Sequence, residues 1–308
     1  MHFTLKQLRY FDAALRCGSI ARAAEEMNIS QSSITAAIDS IEQTSGADLF
    51  RRIPAKGIVP TETGRQIGER IAQFLEQERM FHSDLTSIAG DPAGTLRIAC
   101  YAPTAPYVLP PVLKRITEEY PSIRIDLKEG DMHTINDFLN NGAVDVALTY
   151  RRSLPPTQPF MPLFRARPWA LLPEASPLAR KKTLRIKDLD NLPMILLDLS
   201  LAETYFRKLF QESGLALNVV HKTKSSSVLR GLVAANFGYS ILNICGPNDR
   251  SANGGYLARP IKGTLDEPQF VVAYTLASER SAIVQAVINI SKDLAQSGAF
   301  DHLLLKPV

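Results

Sequence analysis

The first forty-five residues predict three helices, because apolar side chains recur there every three or four positions. The first helix is predicted at residues 5–17 and ends at Gly18. A second, alanine-rich helix follows at residues 20–27, and a third begins after the capping residue Ser30 and runs to about Ser45. Two short helices joined by a turn of about four residues predict a helix-turn-helix.

The next segment predicts a two-stranded wing with three cations at its tip. Arg51, Arg52 and Lys56 occupy a short stretch that contains Pro and Gly, and Ile58-Val59 follows it. A wing of this kind lies along a sugar-phosphate backbone, where positive side chains release counterions. An ordinary solvated hairpin is the alternative.

The longest helical pattern starts near residues 60–63 and keeps heptad spacing over about three repeats. Its apolar positions are Ile67, Ile71, Phe74, Phe81, Leu85 and Ile88, and Glu78 takes the one polar position. At about 1.5 Å per residue, a helix over 63–89 is roughly 40 Å long. Since a small winged domain cannot bury so long a seam, we expect two copies of the chain to pair along it. Packing against the chain's own C-terminal domain is the alternative.

A cluster of helix-breaking residues at 90–94 predicts a hinge, and strand and helix patterns alternate after it. The predicted strands are residues 96–100, 123–128, 144–149, 194–197, 217–221, 239–244 and 269–274. The predicted helices are residues 107–120, 135–140, 202–212, 227–235 and 281–296. This alternation indicates two α/β lobes, the first built on a mostly parallel sheet covered by helices on both faces.

Ligands of such sheets bind beyond the carboxyl ends of the strands, in the cleft between lobes. In the first lobe the candidates are Tyr101, Thr104, Ala105, Asp131, Thr149 and Tyr150. In the second lobe they are Asp198, Leu199, Ser200, Ser225 and Ser226. Hydroxyl and backbone N–H groups at a helix start suit an anion, and the two acidic residues suggest nitrogen donors. We therefore expect an amino acid or an N-heterocyclic carboxylate, although each residue alone could be a helix cap.

The start of the third helix carries candidates for reading DNA. In a helix-turn-helix, the second helix enters the major groove with its N-terminal residues on base edges. Those residues are Ser30, Gln31, Ser32, Ser33 and Thr35. Glutamine can bind adenine through two hydrogen bonds, and hydroxyls serve bases or phosphates. A helix cap is again the alternative.

The charge distribution changes this picture only slightly. Residues 1–89 hold 10 Lys and Arg against 11 Asp and Glu, so this part of the chain carries −1. The remaining residues carry +5, from 25 cations and 20 anions, and together they make the net +4. Bulk charge therefore does not indicate nucleic-acid binding, and the cations would have to be concentrated on one face.

Composition and motifs exclude several classes of function. The 308 residues are 45% hydrophobic and 21% charged, as in ordinary globular proteins. We expect neither a membrane span nor a secretory signal, and three distant cysteines suit a reducing cytoplasm rather than a disulfide framework or a paired thiol switch. The five histidines lack metal-ligand spacing, and glycine motifs for nucleotides are missing. We therefore expect no cofactor, no metal and no enzymatic activity.

About sixty N-terminal residues carry a pattern of individual residues that is more specific than a helix-turn-helix alone. It comprises Phe11, Gly18-Ser19-Ile20, Ala23-Ala24-Glu25, the run from Asn28 to Thr35, Ile38, Ile41-Glu42, Gly46, Leu49-Phe50-Arg51-Arg52, Thr61 and Thr63-Gly64. This pattern resembles the LysR-type transcriptional regulators. The family often has Pro after the Gln and polar or basic residues one turn later, whereas this chain has Ser32, Ala36 and Ala37, which predicts fewer base contacts.

The resemblance implies a winged helix-turn-helix at 1–60, a dimerisation helix at 61–89, a hinge at 90–94 and an effector-binding domain at 95–308. That domain would have a periplasmic-binding-protein-like fold, with lobe I at 95–164 and 270–308 and lobe II at 165–269. The resemblance also implies binding to promoter DNA as a dimer or tetramer, with Arg22 near a phosphate, and contact with RNA polymerase if the protein activates transcription. The alternative is a two-lobe solute-binding protein or enzyme with a helical N-terminal appendage.

Overall fold

The computed structural model describes residues 3–53, 57–87, 92–199, 201–251 and 254–307. The chain divides into two compact units, Met1–Leu85 and Thr86–Val308. Three residues expected to have a function, Lys56, Ile88 and Ser200, lie outside the described residues.

Three helices build the N-terminal unit: α1 (Leu5–Cys17), α2 (Ile20–Glu26) and α3 (Gln31–Ser45). Each begins after a hydroxyl residue whose side chain accepts a backbone N–H of the first turn, and these residues are Thr4, Ser19 and Ser30. Gly18 and Gly46 end α1 and α3 in the left-handed conformation. The buried faces of the three helices meet in one apolar core, as their hydrophobic spacing predicts.

The wing consists of β1 (Phe50–Ile53) and β2 (Gly57–Pro60), which pair antiparallel. Gly57 has a φ of 85°, and a Cβ atom there would lie 2.4 Å from the carbonyl oxygen of Gly18. Only glycine tolerates both conditions. The N–H of Ile58 donates to the same carbonyl at 3.1 Å, so the wing is attached to the C-terminal end of α1.

The long helix α4 (Glu62–Ser87) begins on the N-terminal unit. Its residues Ile67, Ile71 and Leu75 pack into the core formed by α1, α2 and α3. Gly68 allows this approach, because a Cβ atom there would lie 2.3 Å from a methyl group of Leu15. The first turns of α4 are therefore part of the winged domain itself.

The C-terminal unit contains the remaining strands and helices. The strands are β3 (Gly94–Tyr101), β4 (Ile123–Gly130), β5 (Val146–Tyr150), β6 (Phe160–Arg165), β7 (Trp169–Pro173), β8 (Leu184–Arg185), β9 (Met194–Leu197), β10 (Val219–Thr223), β11 (Ser240–Leu242), β12 (Tyr256–Lys262) and β13 (Gln269–Tyr274). The helices are α5 (Ala105–Glu119), α6 (Met132–Asn140), α7 (Ala202–Gln211), α8 (Ser226–Ala234) and α9 (Ala282–Gln296).

Two sheet systems divide these elements into two lobes. The first lobe has a five-stranded sheet of order β4-β3-β5-β13-β6, in which β4, β3 and β5 are parallel and β13 runs antiparallel to both its neighbours. The second lobe contains the sheet β11-β7-β12-β8 and the parallel pair β10-β9. The chain crosses between the lobes at residues 166–168 and returns at 263–268.

Candidate functional site

The start of α3 is a network of serine hydroxyls. The side chain of Ser30 accepts the N–H of Ser33 at 3.3 Å, and its Oγ lies 2.8 Å from Ser32 Oγ and 2.9 Å from Ser33 Oγ. Gln31 and Ser32 are exposed, and Ser33 and Thr35 are half-buried. The Gln31 amide makes no hydrogen bond to any described residue, so its donors and acceptor are available to a base edge.

Arg51 and Arg52 lie within β1, rather than at the wing tip where the sequence placed them. Both side chains are exposed, and consecutive strand residues point to opposite faces. Within the described residues neither arginine forms an ion pair, whereas Arg9, Arg16 and Arg65 are each paired with a carboxylate. The wing therefore carries positive charge that nearby acids do not neutralise, although residues 1–89 sum to −1.

Arg22 has a structural role beside any contact with phosphate. Its backbone N–H bonds to the capping Ser19, and its guanidinium donates to the carbonyl of Cys17 at the end of α1. The side chain is exposed, and only one of its guanidinium nitrogens is used in that contact. A phosphate could therefore bind the remaining donors.

The predicted seam of α4 is divided by the fold. Ile67 and Ile71, expected to face a partner helix, instead pack into the core of their own winged domain, which corrects that prediction. Phe74, Phe81 and Leu85 have 49%, 63% and 50% of their surface exposed. These three large apolar side chains of α4 therefore remain uncovered within one chain.

In the C-terminal unit, a cavity with about 470 Å³ of empty space, including space open to solvent, lies between the two lobes. Its described lining is Tyr101, Pro103, Thr104, Tyr150, Arg152, Leu197, Ala202, Phe206, Ser226, Arg230, Leu242, Asn243 and Ile244. Tyr101, Thr104, Tyr150 and Ser226 were expected from the strand ends, and the fold brings them together.

The two acidic candidates do not line this cavity. The Asp131 carboxylate caps α6, accepting the N–H and the hydroxyl of Thr134 at 2.8 and 2.9 Å. The Asp198 carboxylate lies 3.9 Å from the ammonium of Lys222. The sequence argument found strand ends correctly but could not show which way these side chains turn.

The other candidates support the cavity walls without lining them. Thr149 is fully buried, and because side chains alternate along β5 it faces the side opposite to Tyr150, which lines the cavity. Ala105 is the buried first residue of α5, Leu199 packs into an apolar cluster of the second lobe, and Ser225 caps α8.

Arg152 was not predicted from the sequence. Its guanidinium carbon lies 5.0 Å from the ring centre of Tyr150, in the first lobe, and 4.2 Å from that of Tyr205, on α7 of the second lobe. The Tyr205 hydroxyl donates to the carbonyl of Asp266 at 2.8 Å and accepts from Asn243 at 3.2 Å, which fixes that ring. Burial raises the pKa of both tyrosines, so their rings stay neutral beside the cation.

Arg230, on α8, was also missed, and its charge is already balanced. It forms two hydrogen bonds to Asp249, of 2.7 and 2.8 Å. Burial disfavours its charged form, but the bonds to Asp249 outweigh that effect and raise the pKa of Arg230. The sequence could have predicted Arg230 as a cavity residue, because it follows Ser226 by four positions and so lies on the same face of α8.

Comparison with known proteins identifies this architecture. Residues 5–65 match the family described as bacterial regulatory helix-turn-helix protein, lysR family, and residues 89–296 match the LysR substrate binding domain. The chain therefore belongs to the LysR family of transcriptional regulators. Regulators of this family bind DNA and small-molecule effectors and form oligomers, and they are not enzymes, so the alternative of a two-lobe solute-binding protein or enzyme is rejected.

Three relatives illustrate the similarity. The uncharacterized HTH-type transcriptional regulator YvbU of Bacillus subtilis is 25% identical, over 94% of this chain and 98% of its own. The HTH-type transcriptional activator CmpR of Synechocystis is 25% identical, over 93% and 94%. The crystal structure of HinK, a LysR family transcriptional regulator from Pseudomonas aeruginosa, is 28% identical with a TM-score of 0.62, covering 96% of this chain and 99% of HinK.

Two further observations concern the described residues alone. Among them, no helix combines the length and the hydropathy needed to cross a lipid bilayer. The same residues contain no cluster of His, Cys, Asp and Glu side chains that could hold a metal ion.

Proposed function

We propose that this LysR-type regulator binds promoter DNA with α3 in the major groove and the wing on the phosphate backbone. Base edges would meet Gln31 and its neighbours Ser30, Ser32, Ser33 and Thr35, and phosphates would meet Arg22, Arg51, Arg52 and Lys56. The exposed arginines of β1, which form no ion pair with any described residue, are the observation that carries this proposal, because Arg9, Arg16 and Arg65 are each paired with a carboxylate. The protein would act in the cytoplasm, where its promoter is.

We also propose that the chain acts as a dimer or tetramer, paired along α4 through Phe74, Phe81 and Leu85. Ile88 would extend this surface, as the heptad spacing predicts. The exposed apolar side chains support the pairing, since contiguous exposed apolar surface marks an interaction site. The division into a winged domain at 1–60, a linker helix at 61–89, a hinge at 90–94 and an effector domain at 95–308 is kept as a proposal, with the first turns of the linker helix packed on the winged domain and with β3 starting at Gly94.

The effector is proposed to bind in the cavity between the lobes, in contact with Tyr101, Thr104, Tyr150 and Ser226. The expected ligand, an amino acid or an N-heterocyclic acid, carries a carboxylate, and the cavity lining contains cationic and hydroxyl side chains that could bind it. The described lining contains no carboxylate that could accept hydrogen bonds from the nitrogen donors of such a ligand, which argues against an amine as its main recognition group. Ligand binding would shift the balance between two arrangements of the lobes by its differential affinity for them.

Activation or repression is a separate question. The relative CmpR is a transcriptional activator. If this chain also activates transcription, RNA polymerase would be its second macromolecular partner.

A gel-shift titration tests the DNA-binding proposal. An operator is first selected from random duplexes with the wild-type protein. Gln31→Ala should then reduce discrimination between that operator and base-substituted duplexes by about 1–3 kcal/mol, because a base contact is lost. Gln43→Ala, an exposed glutamine at the other end of α3, is the control and should leave discrimination unchanged.

The wing should act differently from the recognition helix. Arg52→Ala should weaken binding to all duplexes alike and reduce the slope of log affinity against log salt by about 0.9. Arg16→Ala removes an exposed arginine that two carboxylates already neutralise, so the slope should stay the same. If Gln31→Ala and Arg52→Ala both bind the operator like the wild type, the proposed DNA-binding surface is wrong.

A further inference from the structure

The charged groups of the cleft point to the chemistry of the effector. Among the described residues that line the cavity, the charged side chains are Arg152 and Arg230. No aspartate or glutamate belongs to that described lining. The charged side chains of this lining are therefore all positive.

Arg230 is paired with a carboxylate, whereas Arg152 has no such partner among the described residues. Two hydrogen bonds join Arg230 to the buried carboxylate of Asp249. In contrast, Nε and Nη1 of Arg152 are buried and have no hydrogen-bond partner among the described residues. A buried guanidinium without acceptors loses the hydration of its N–H groups and gains nothing in return, so it strongly favours an incoming anion.

Two aromatic rings lie close to the guanidinium of Arg152. The rings of Tyr150 and Tyr205 both lie within 5.0 Å of its guanidinium carbon, one from each lobe. Arginine stacks on aromatic rings through its flat face, so the N–H groups in the plane remain for hydrogen bonding. A planar carboxylate matches that edge with two parallel bonds.

The rest of the wall is apolar with hydroxyls at two helix starts. Leu197, Phe206, Leu242 and Ile244 give the cavity a hydrophobic side that a small inorganic anion would leave uncovered. Thr104 precedes α5, and Ser226 begins α8. These walls favour a ligand with a compact apolar body attached to its acid group.

We propose that the effector of this regulator is an organic carboxylate with a compact apolar body, and that the guanidinium of Arg152 binds its carboxylate. This inference rests on the proposed effector site between the lobes and names the ligand class for it. Arg152 itself contacts Tyr150 of the first lobe and Tyr205 of the second. Binding and the arrangement of the lobes are therefore coupled through one residue.

Thermal unfolding of the full-length protein tests the ligand class. The probes are benzoate, 3-phenylpropanoate and hexanoate, each beside its primary amide, with benzylamine as the cation and sulfate as the inorganic anion. A carboxylate present at about 100 times its Kd should raise Tm by about 5–10 °C, while its amide gives no comparable shift at the same concentration. Stabilisation by sulfate or benzylamine without any by the carboxylates would overturn the proposal, as would the absence of a shift from every carboxylate.

Substitution of Arg152 tests the residue. Arg152→Gln should weaken the best carboxylate by at least about tenfold, because a charge-assisted hydrogen bond is lost. Arg152→Lys keeps the charge without the planar fork and should bind with intermediate affinity. Arg124→Gln removes an exposed arginine of β4 and should bind like the wild type. Equal affinity of Arg152→Gln and the wild type for the carboxylate would overturn the assignment.

Operator binding separates this inference from the proposed function. Far-UV circular dichroism checks that each variant is folded, and each is also titrated against the selected operator without ligand to check that it still binds DNA. Wild-type protein that fails to bind any operator contradicts the proposed function alone. If the wild-type protein binds DNA but none of the carboxylates, only the assignment of an organic carboxylate as the effector is contradicted.

Discussion

At the scale of single residues, the ion pair between Arg230 and Asp249 is the clearest structural feature of the cleft wall. The two side chains are only 13% and 1% exposed. Asp249 also accepts the backbone N–H of Gly246 at 2.8 Å, so its carboxylate holds both a helix and a loop of the second lobe. A pair so deeply enclosed adds little net stability while it is intact, but removal of one partner leaves the other charge buried and unpaired.

Asp249→Ala should therefore lower the free energy of unfolding of the C-terminal unit by about 3–5 kcal/mol. Trp169, the single tryptophan of the chain, is buried in the same lobe, so its fluorescence during urea unfolding reports on that lobe. Glu212→Ala is the matched control, because Glu212 pairs with Lys208 at 3.7 Å on the surface. That control should cost at most about 1 kcal/mol, and equal losses for the two variants would show that burial of the pair has no energetic role.

Some residues of the cleft could be predicted from the sequence and others could not. The rule of strand ends found Tyr101, Thr104 and Tyr150, because carboxyl ends of parallel strands meet at one edge. It could not exclude Asp131, since an N-cap and a ligand contact look the same in sequence. It missed Arg152 because this residue lies in a short 3₁₀ turn after β5, and hydrophobic periodicity carries no signal for such a turn.

At the scale of elements, helices were easier to predict than strands. All the predicted helices exist within a few residues of their expected bounds, since their apolar faces repeat over several turns. The strands β6, β7, β8 and β12 were not predicted. β12 contains Pro260, which argues against a central strand, but it lies where the pairing of β12 changes from β7 to β8.

The linker helix α4 shows a heptad seam used for two purposes. Its N-terminal isoleucines complete the core of the winged domain, and its later aromatic and leucine side chains are exposed. A single heptad pattern in the sequence could not distinguish intrachain from interchain packing, because both bury the same helix face.

Phe81→Glu should therefore weaken self-association without unfolding the winged domain. A charge placed in a buried seam costs several kcal/mol in the dimer, whereas Phe81 is exposed within one chain. Gln73→Glu introduces the same charge at an exposed position away from the seam and is the control. Sedimentation equilibrium should show a larger monomer fraction for Phe81→Glu alone, and an unchanged distribution would remove α4 from the proposed dimer interface.

At the scale of the whole molecule, the cysteines distinguish a regulator that senses a ligand from one that senses oxidants. Cys17, Cys100 and Cys245 are all free thiols, and the last two are buried in the first and second lobes. Burial raises the pKa of all three thiols, and it raises that of Cys245 to about 12. At neutral pH the reactive thiolate is therefore scarcer than in a free cysteine, whose pKa is about 8.5.

Peroxide should consequently leave the regulator unchanged. At pH 7.5 we expect Ellman's reagent to modify the buried thiols of Cys100 and Cys245 in the native protein at least about tenfold more slowly than free cysteine, because only the thiolate reacts. Protein unfolded in urea is the control, and there all three thiols should react at the rate of the free amino acid. Operator affinity measured by gel shift before and after exposure to hydrogen peroxide should agree within about twofold, while the carboxylate that binds best should still alter it. Rapid loss of native thiols together with a change in operator affinity would instead mean that oxidation controls this protein, and that the cavity between its lobes has another role.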